Sequence, residues 1–441
     1  MTTTFENLML RKFHVFTQSL LLAVFLITAP YSLHAEEEHT STSQHTKPHH
    51  MQMKHGGGHH AGGHHGSHGS ITKGIEKFPT VSYTENKTAR DIERPTLPHI
   101  HGDPLHGKKI ANGKGRCLSC HIMGAEFDQA GNVGPNLSAY NKLGRSRDYS
   151  FQQIWDARAH NPNSLMPPLG TNGLLLAQEV MHLVAYLETL NARIDEPLRP
   201  KIDSPNYYIA GEDLTFADIY IEEGQALFNK PGKNGKSCAS CHTSEKSEAP
   251  NLKNLASRYP KYSHESDKIM LIETQNNNCR QKYMHSHHYK LGSRESNTLS
   301  AYVKYLSRNT PITITANVHT KDALLRGKQS FYKKTGQLNF SCANCHVGAA
   351  NKWLRGQSLS SIQPKGKTRH TAATWPKHFV ALHDLGLISM QQRIRHCQIV
   401  TQTYPQSLGS DEYIDMELYL MSLANCLPMQ APTKSKLRGA D

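Results

Sequence analysis

The sequence predicts a mostly α-helical chain of three tandem units, and three observations carry that prediction. The pattern Cys-x-x-Cys-His occurs three times, at Cys117–His121, Cys238–His242 and Cys342–His346. Before each copy runs a Gly-led stretch of helical character: Gly107-Lys-Lys-Ile, Gly224-Gln-Ala-Leu-Phe and Gly327-Lys-Gln-Ser-Phe-Tyr. After each comes a packing helix with a shared tyrosine: Leu183-Val-Ala-Tyr186-Leu, Leu299-Ser-Ala-Tyr302-Val and Glu417-Leu-Tyr419-Leu. Leu183, Tyr186 and Leu187 fall at i, i+3 and i+4 on one helix face, as do Leu299, Tyr302 and Val303. Self-similarity on this scale marks a repeated structural unit: helix, motif, long loop, packing helix.

Length and composition agree. The 441 residues exceed one ordinary core. Hydrophobic residues make up 37%, or about 40% with Gly counted and Tyr left out, below the roughly 45–50% of soluble domains. Part of the chain therefore lacks a core, or something besides side chains fills the cores. The N-terminal fifth shows the first. Arg11 and Lys12 precede an apolar run, Leu20 to Ala29, too short to span a bilayer. Residues 1–35 read as a secretory signal cleaved after Ala35, although Leu33 is larger than the usual small residue there. No other run approaches membrane length, so the mature chain is expected to have no integral membrane segment and to lie in an oxidising, extracytoplasmic space.

Residues 36–90 read as a disordered His/Gly-rich leader. Ten of the 29 histidines lie between His39 and His68, without apolar periodicity. The tract serves as a solvated tether or as a weak imidazole trap for copper, zinc or nickel. Units are expected at 91–195, 196–310 and 311–441. The formal charge of +14 favours acidic partners and fixes no fold; no nucleic-acid partner is expected.

The three motifs supply what fills the cores. In an exported chain, Cys-x-x-Cys-His reads as covalent c-type haem attachment. The thiols of Cys117 and Cys120, Cys238 and Cys241, and Cys342 and Cys345 form thioethers, and His121, His242 and His346 become proximal iron ligands. A thioredoxin-like or zinc motif is the competing reading, but three copies in one chain argue for three haems.

The repeat also locates the opposite ligands. Met166 lies 20 residues before Tyr186, Cys279 lies 23 before Tyr302 and Cys397 lies 22 before Tyr419. Each carries sulfur at about the same slot. Thioether ligation raises a haem potential and thiolate ligation lowers it, so one high-potential His/Met haem and two low-potential His/Cys haems are expected, with electrons running from the third unit to the first. Met123 or Met181 is the alternative to Met166. A disulfide among Cys279, Cys397 and Cys426 is the alternative to ligation.

The third slot has one more feature. In Gln391-Gln-Arg393-Ile-Arg395-His396-Cys397, a helix puts Arg393 one turn before Cys397 on the same face. A cation there holds an anionic substrate and favours a sulfur anion. Its bland alternative is a solvated basic helix face.

Each unit resembles a class I cytochrome c domain. Beyond that, Gly134-Pro-Asn-Leu-Ser, Trp155-Asp-Ala-Arg158-Ala and Met166-Pro-Pro-Leu-Gly170 resemble the SoxX cytochrome subunit. Ser237-Cys-Ala-Ser-Cys-His242, Asn278-Cys279-Arg280, Gly336 to His346, Leu354-Arg-Gly356, Arg393-Ile-Arg-His-Cys397 and Gly409-Ser-Asp-Glu-Tyr413 resemble the dihaem form of SoxA. The resemblance spans residues 95–430, X before A, as one fused chain. It implies a periplasmic L-cysteine S-thiosulfotransferase, which joins thiosulfate oxidatively to a cysteine of the SoxYZ carrier and passes two electrons to a cytochrome c. It also implies that Cys397 is both haem ligand and active-site cysteine, and that Arg393 stands beside it. The family pattern carries a second basic residue in the last helix, where this chain has Ser422 and Leu423, and a Gly where this chain has Cys426. A thiosulfate dehydrogenase forming tetrathionate and a plain electron-transfer cytochrome are the alternative functions.

Overall fold

A computed structural model describes residues 75–84, 91–92, 94–124, 129–196, 216–242, 251–362, 377–378, 387–429 and 431. The expected signal peptide and the histidine pairs of the leader lie outside these residues. The described chain is mostly helical, and its elements run in three stretches, each with one Cys-x-x-Cys-His motif.

The first segment holds α1 (Pro104–Asn112), α2 (Arg147–Trp155) and α3 (Ala177–Thr189). α1 starts at Pro104, which has no N–H to leave unpaired. The Asp103 carboxylate accepts from the Leu105 and His106 N–H groups at 2.8 and 3.3 Å. The second segment holds α4 (Phe216–Asn229), α5 (Cys238–His242), α6 (Ile272–Met284) and α7 (Arg294–Leu306). The third holds α8 (Lys321–Tyr332), α9 (Met390–Val400) and α10 (Asp411–Ser422). Ser293, Ser389 and Ser410 cap α7, α9 and α10 by accepting from the N–H three residues on.

One crossing recurs in all three segments. A Cβ built on Gly107 of α1 would stand 2.0 Å from the His182 carbonyl of α3 and 2.7 Å from Tyr186 Cβ. On Gly224 of α4 it would stand 2.1 Å from the Thr298 carbonyl of α7 and 2.7 Å from Tyr302 Cβ. On Gly327 of α8 it would stand 2.1 Å from the Asp415 carbonyl of α10 and 2.8 Å from Tyr419 Cβ. Only a residue without a Cβ lets these backbones meet. Each crossing nucleates its own core, around Phe151 and Leu183 in the first segment, Phe228 and Leu299 in the second, and Phe331 and Leu418 in the third.

Strands are minor. β1 (Lys261–Ser263) and β2 (Lys268–Met270), β3 (Trp353–Leu354) and β4 (Gln357–Ser358), and β5 (Lys377–His378) and β6 (Leu387–Ile388) form three antiparallel pairs. One boundary needs correcting. Residues 75–84, expected within the disordered leader, are packed: Ile75 and Thr84 are buried, the Pro79 carbonyl accepts from Tyr404 N–H, and that of Thr84 accepts from Arg158. The Gly/His tract gives way here to Ile75, Phe78 and Val81, and with them to segments that can pack.

The first segment docks on the third through its motif loop and Asn132, which meet Trp353 and Arg355. The Ser119 carbonyl accepts from Arg355 N–H at 2.9 Å, and its Oγ accepts from Arg355 Nε at 3.0 Å. Asn132 N–H donates to the Trp353 carbonyl at 2.9 Å, and Trp353 N–H donates to Asn132 Oδ1 at 2.7 Å. Ser119 is the residue between Leu118 and Cys120, so this contact is made by the Cys-x-x-Cys-His loop itself.

Candidate haem and sulfur-transfer site

All nine cysteines are free thiols in the structure. The motif thiols are half-buried. Burial pushes Cys117, Cys342 and Cys345 up to about 12, and Cys120 and Cys238 up to about 11. Such thiols stay protonated at neutral pH and suit thioether bonds, which carry no charge.

Two of the motif histidines have their tautomer pre-set. His121 Nδ1 lies 2.7 Å from the Pro135 carbonyl, and His346 Nδ1 lies 2.8 Å from the Ser360 carbonyl. A carbonyl can only accept, so each Nδ1 carries the proton and each Nε2 keeps its lone pair. This is the arrangement metal-bound imidazoles adopt, with a carbonyl fixing the tautomer. Burial lowers the His121 pKa and favours the neutral ring. In the second segment, the His242 ring stands 6.3 Å from the Phe228 ring.

The predicted sulfurs lie in the same segments as their motifs. Of three methionines in the first core, Met123 and Met181 are enclosed, whereas Met166 is only partly covered, on the rim that also holds Cys117. In the second segment, Cys279 on α6 raises the pKa of Cys238, after burial, and Cys241 in turn raises that of Cys279. Gln275 Nε2 lies 3.3 Å from Cys279 Sγ. In the third, Cys397 on α9 raises both Cys342 and Cys345, second only to burial. Each helical cysteine thus lies within electrostatic reach of its own motif pair. The residues fit a c-type haem: two thiols for the macrocycle, one imidazole nitrogen and a facing sulfur. Cys120 also raises Cys345, so the first and third motifs lie near one another.

The predicted helix around Cys397 is present as α9, which spans Met390 to Val400 and so contains both Arg393 and Cys397 at helical i, i+4 spacing. Behind it stands Tyr413 of α10, fully buried, whose hydroxyl donates to Gln398 Oε1 and accepts from Gln406 N–H. Sequence reasoning missed a buried charge cluster between the second and third segments. Glu273 of α6, Lys304 of α7 and Glu417 of α10 are each almost wholly enclosed. Burial, then Glu273, pushes the Glu417 carboxyl up to about 8 against the pull of Lys304; burial raises Glu273 and lowers Lys304. The corresponding slot, two residues before each repeat tyrosine, holds Val184 and Ser300, so the repeat pattern gave no sign of a charge.

A SoxA/TsdA cytochrome c domain family matches residues 223–312, from α4 to just beyond α7. The L-cysteine S-thiosulfotransferase subunit SoxA of Pseudaminobacter salicylatoxidans is 31% identical over 177 residues, 40% of this chain and 58% of that protein. The subunit of the same description from Chlorobaculum tepidum is 30% identical over 226 residues, 51% of this chain and 73% of that protein. The crystal structure of SoxXA from P. pantotrophus is similar over 49% of this chain and 76% of that chain, at 26% identity and a TM-score of 0.43. The chain thus spans a little over half the length of the first of these relatives and nearly three quarters of the second. On the extent of that second match, with the motifs it carries, the chain belongs to the SoxA family of L-cysteine S-thiosulfotransferase subunits.

Proposed function

We propose that this chain is a periplasmic, three-haem fusion of an X-like unit (91–195) with a dihaem A-like pair (196–310 and 311–441), exported by its first 35 residues. It conjugates thiosulfate to a cysteine of a SoxYZ-type carrier. The carrier S–H bond and the terminal sulfur of thiosulfate are replaced by one S–S bond, with release of one proton and two electrons. When bound, the haems would supply one-electron acceptors for those two electrons on their way to a cytochrome c. Cys397 and Arg393 are the catalytic pair, the cysteine as soft sulfur nucleophile and the guanidinium as anchor for the dianion. The haems attach through Cys117, Cys120, Cys238, Cys241, Cys342 and Cys345. Their iron ligands are His121 with Met166, His242 with Cys279, and His346 with Cys397.

The observation that carries this reading is α9, which holds Arg393 one turn before a cysteine facing the Cys342–Cys345 pair. Family membership supports it, as does the docking of the first motif loop against the segment that follows the third motif. Among the described residues no helix is long and apolar enough to cross a membrane.

The deciding experiment supplies haem-loaded protein with thiosulfate, an electron acceptor and a SoxYZ-type carrier, and weighs the carrier by mass spectrometry. A thiosulfonate adduct with wild type and none with Cys397→Ala is the expected result. Tetrathionate without adduct would make the protein a thiosulfate dehydrogenase. Absence of any thiosulfate-dependent product would leave an electron-transfer cytochrome.

A further inference from the structure

The helix that carries Arg393 and Cys397 is held at both ends by other units. At its C-terminal end, the Val400 carbonyl accepts from Arg116 of the first unit at 2.9 Å. At its N-terminal end the grip is deeper and comes from the second unit. Leu387, three residues before α9, is buried in the second unit against Ile221 and Ala301. Asn297, on α7 and almost fully enclosed, donates through Nδ2 to the Leu387 carbonyl and to Gln392 Oε1, each at 2.8 Å. Both of its neighbours are acceptors, so the amide orientation is fixed.

Gln392 sits at the centre of this grip. Its Oε1 also accepts from Ser389 N–H at 2.9 Å, closing the capping box that starts α9. Its Nε2 donates to the Gly292 carbonyl at 3.1 Å. Gly292 has a φ of +78° and no room for a Cβ, which would meet Leu408 at 2.6 Å and Gln392 at 3.1 Å. Helical geometry turns Gln392 about 140° away from Cys397, so the gripped face and the reacting face of α9 are different. The second unit fixes the helix without touching its chemistry.

We infer that Asn297 is a positioning residue for the third site, setting the angle and register at which α9 presents Arg393 and Cys397. The inference rests on the proposed role of Cys397. It gives the second unit a task beside electron relay, because the start of the catalytic helix, capped by its own Ser389 and Gln392, is anchored from outside its own unit. Loss of such support costs catalysis through misplacement, which reaches about a hundredfold for 1 Å.

The test uses the full, haem-loaded chain. Cys279→Ala and Cys397→Ala first assign the paramagnetic resonance signals of the two thiolate-facing haems. Asn297→Ala is then expected to shift or broaden the Cys397-dependent signal and leave the Cys279-dependent one unchanged. Amide hydrogen exchange over 389–397 should speed up, and kcat should fall roughly tenfold with KM little changed. Unaltered Cys397-dependent signal, exchange and kcat would overturn the inference. Should Asn297→Ala lose both signals through misfolding, Gln392→Ala removes the same bond from the other side. An unchanged Cys397-dependent signal and kcat in that variant would overturn the inference equally. A Cys397→Ala protein that keeps wild-type spectra and activity would instead sink the proposed function, and that outcome reads differently from either Asn297 result.

Discussion

Gly327 and Tyr419 meet where α8 crosses α10, with the tyrosine Cβ 2.8 Å from the point a Gly327 Cβ would occupy. The same pairing joins Gly107 to Tyr186 and Gly224 to Tyr302. A repeat seen in sequence as a glycine before each motif and a tyrosine after it is thus a single packing contact, made three times. It brings the end of each unit back over its beginning, with the motif enclosed in the chain between them.

The first prediction tests that contact. Gly327→Ala places a methyl 2.1 Å from the Asp415 carbonyl, a backbone atom that cannot rotate away, so the helices must part. Overpacking of this kind costs about 2–3 kcal/mol. Gly144→Ala is the control, since nothing lies within 4 Å of its Cβ and only its φ of +61° opposes the change; it should cost about 1 kcal/mol. Urea denaturation midpoints of the two variants measure the difference.

Much of this architecture was legible because it depends on periodicity and spacing. The 22-residue offset from Cys397 to Tyr419 marks the third slot, and the i, i+4 relation of Arg393 to Cys397 needs only a helix to be realised. Contacts between units leave no such trace. Asn132, Trp353 and Ser119 dock the first unit to the third chiefly through backbone groups, which any side chain carries. Asn297 reads as a polar residue on a solvent face, and its burial appears only once the third unit covers α7. The two- and three-residue strands are too short for any alternation to register.

Cys426 offers a second test. It is exposed and stands at a φ of +66°, in the left-handed region that costs a side-chain-bearing residue about 1–2 kcal/mol. The family pattern has Gly there, and the backbone geometry explains why. Cys426→Gly should therefore gain about 0.5–1 kcal/mol despite the added freedom of its unfolded chain. Cys426→Ser keeps the strain and should gain nothing. Thermal unfolding under reducing conditions separates the two.

Glu417 supplies the pH dependence. Its carboxyl is pushed from 4.5 to about 8, first by burial and then by Glu273, with Lys304 and Gln391 pulling the other way. Between about pH 5 and 8 the folded chain keeps a proton that the unfolded chain releases, so this group's contribution to stability falls as pH rises through that window. Glu417→Gln mimics the protonated acid. The variant should match wild type near pH 5 and gain on it toward pH 8, by up to about 1.4 kcal/mol per pH unit. Unfolding midpoints that stay parallel across the window would mean that Glu417 is ionised in the folded state.

Arg393 distinguishes binding from structure at the third site. Arg393 stands one helical turn before Cys397, and in the proposed function its planar fork takes two oxygens of a sulfonate end at once. A lysine keeps the charge and loses the fork. Arg393→Lys should therefore raise the KM for thiosulfate about tenfold, and Arg393→Ala by more, as charge-assisted hydrogen bonds of about 1.5–3 kcal/mol are lost. The two variants should also differ in salt response. Arg393→Lys should retain the loss of kcat/KM with rising ionic strength that attraction of a dianion to a cation produces, and Arg393→Ala should weaken it. Initial rates measured against thiosulfate at low and high salt decide the matter. An equal fall in kcat for both variants at unchanged KM would show that Arg393 supports α9 rather than the substrate.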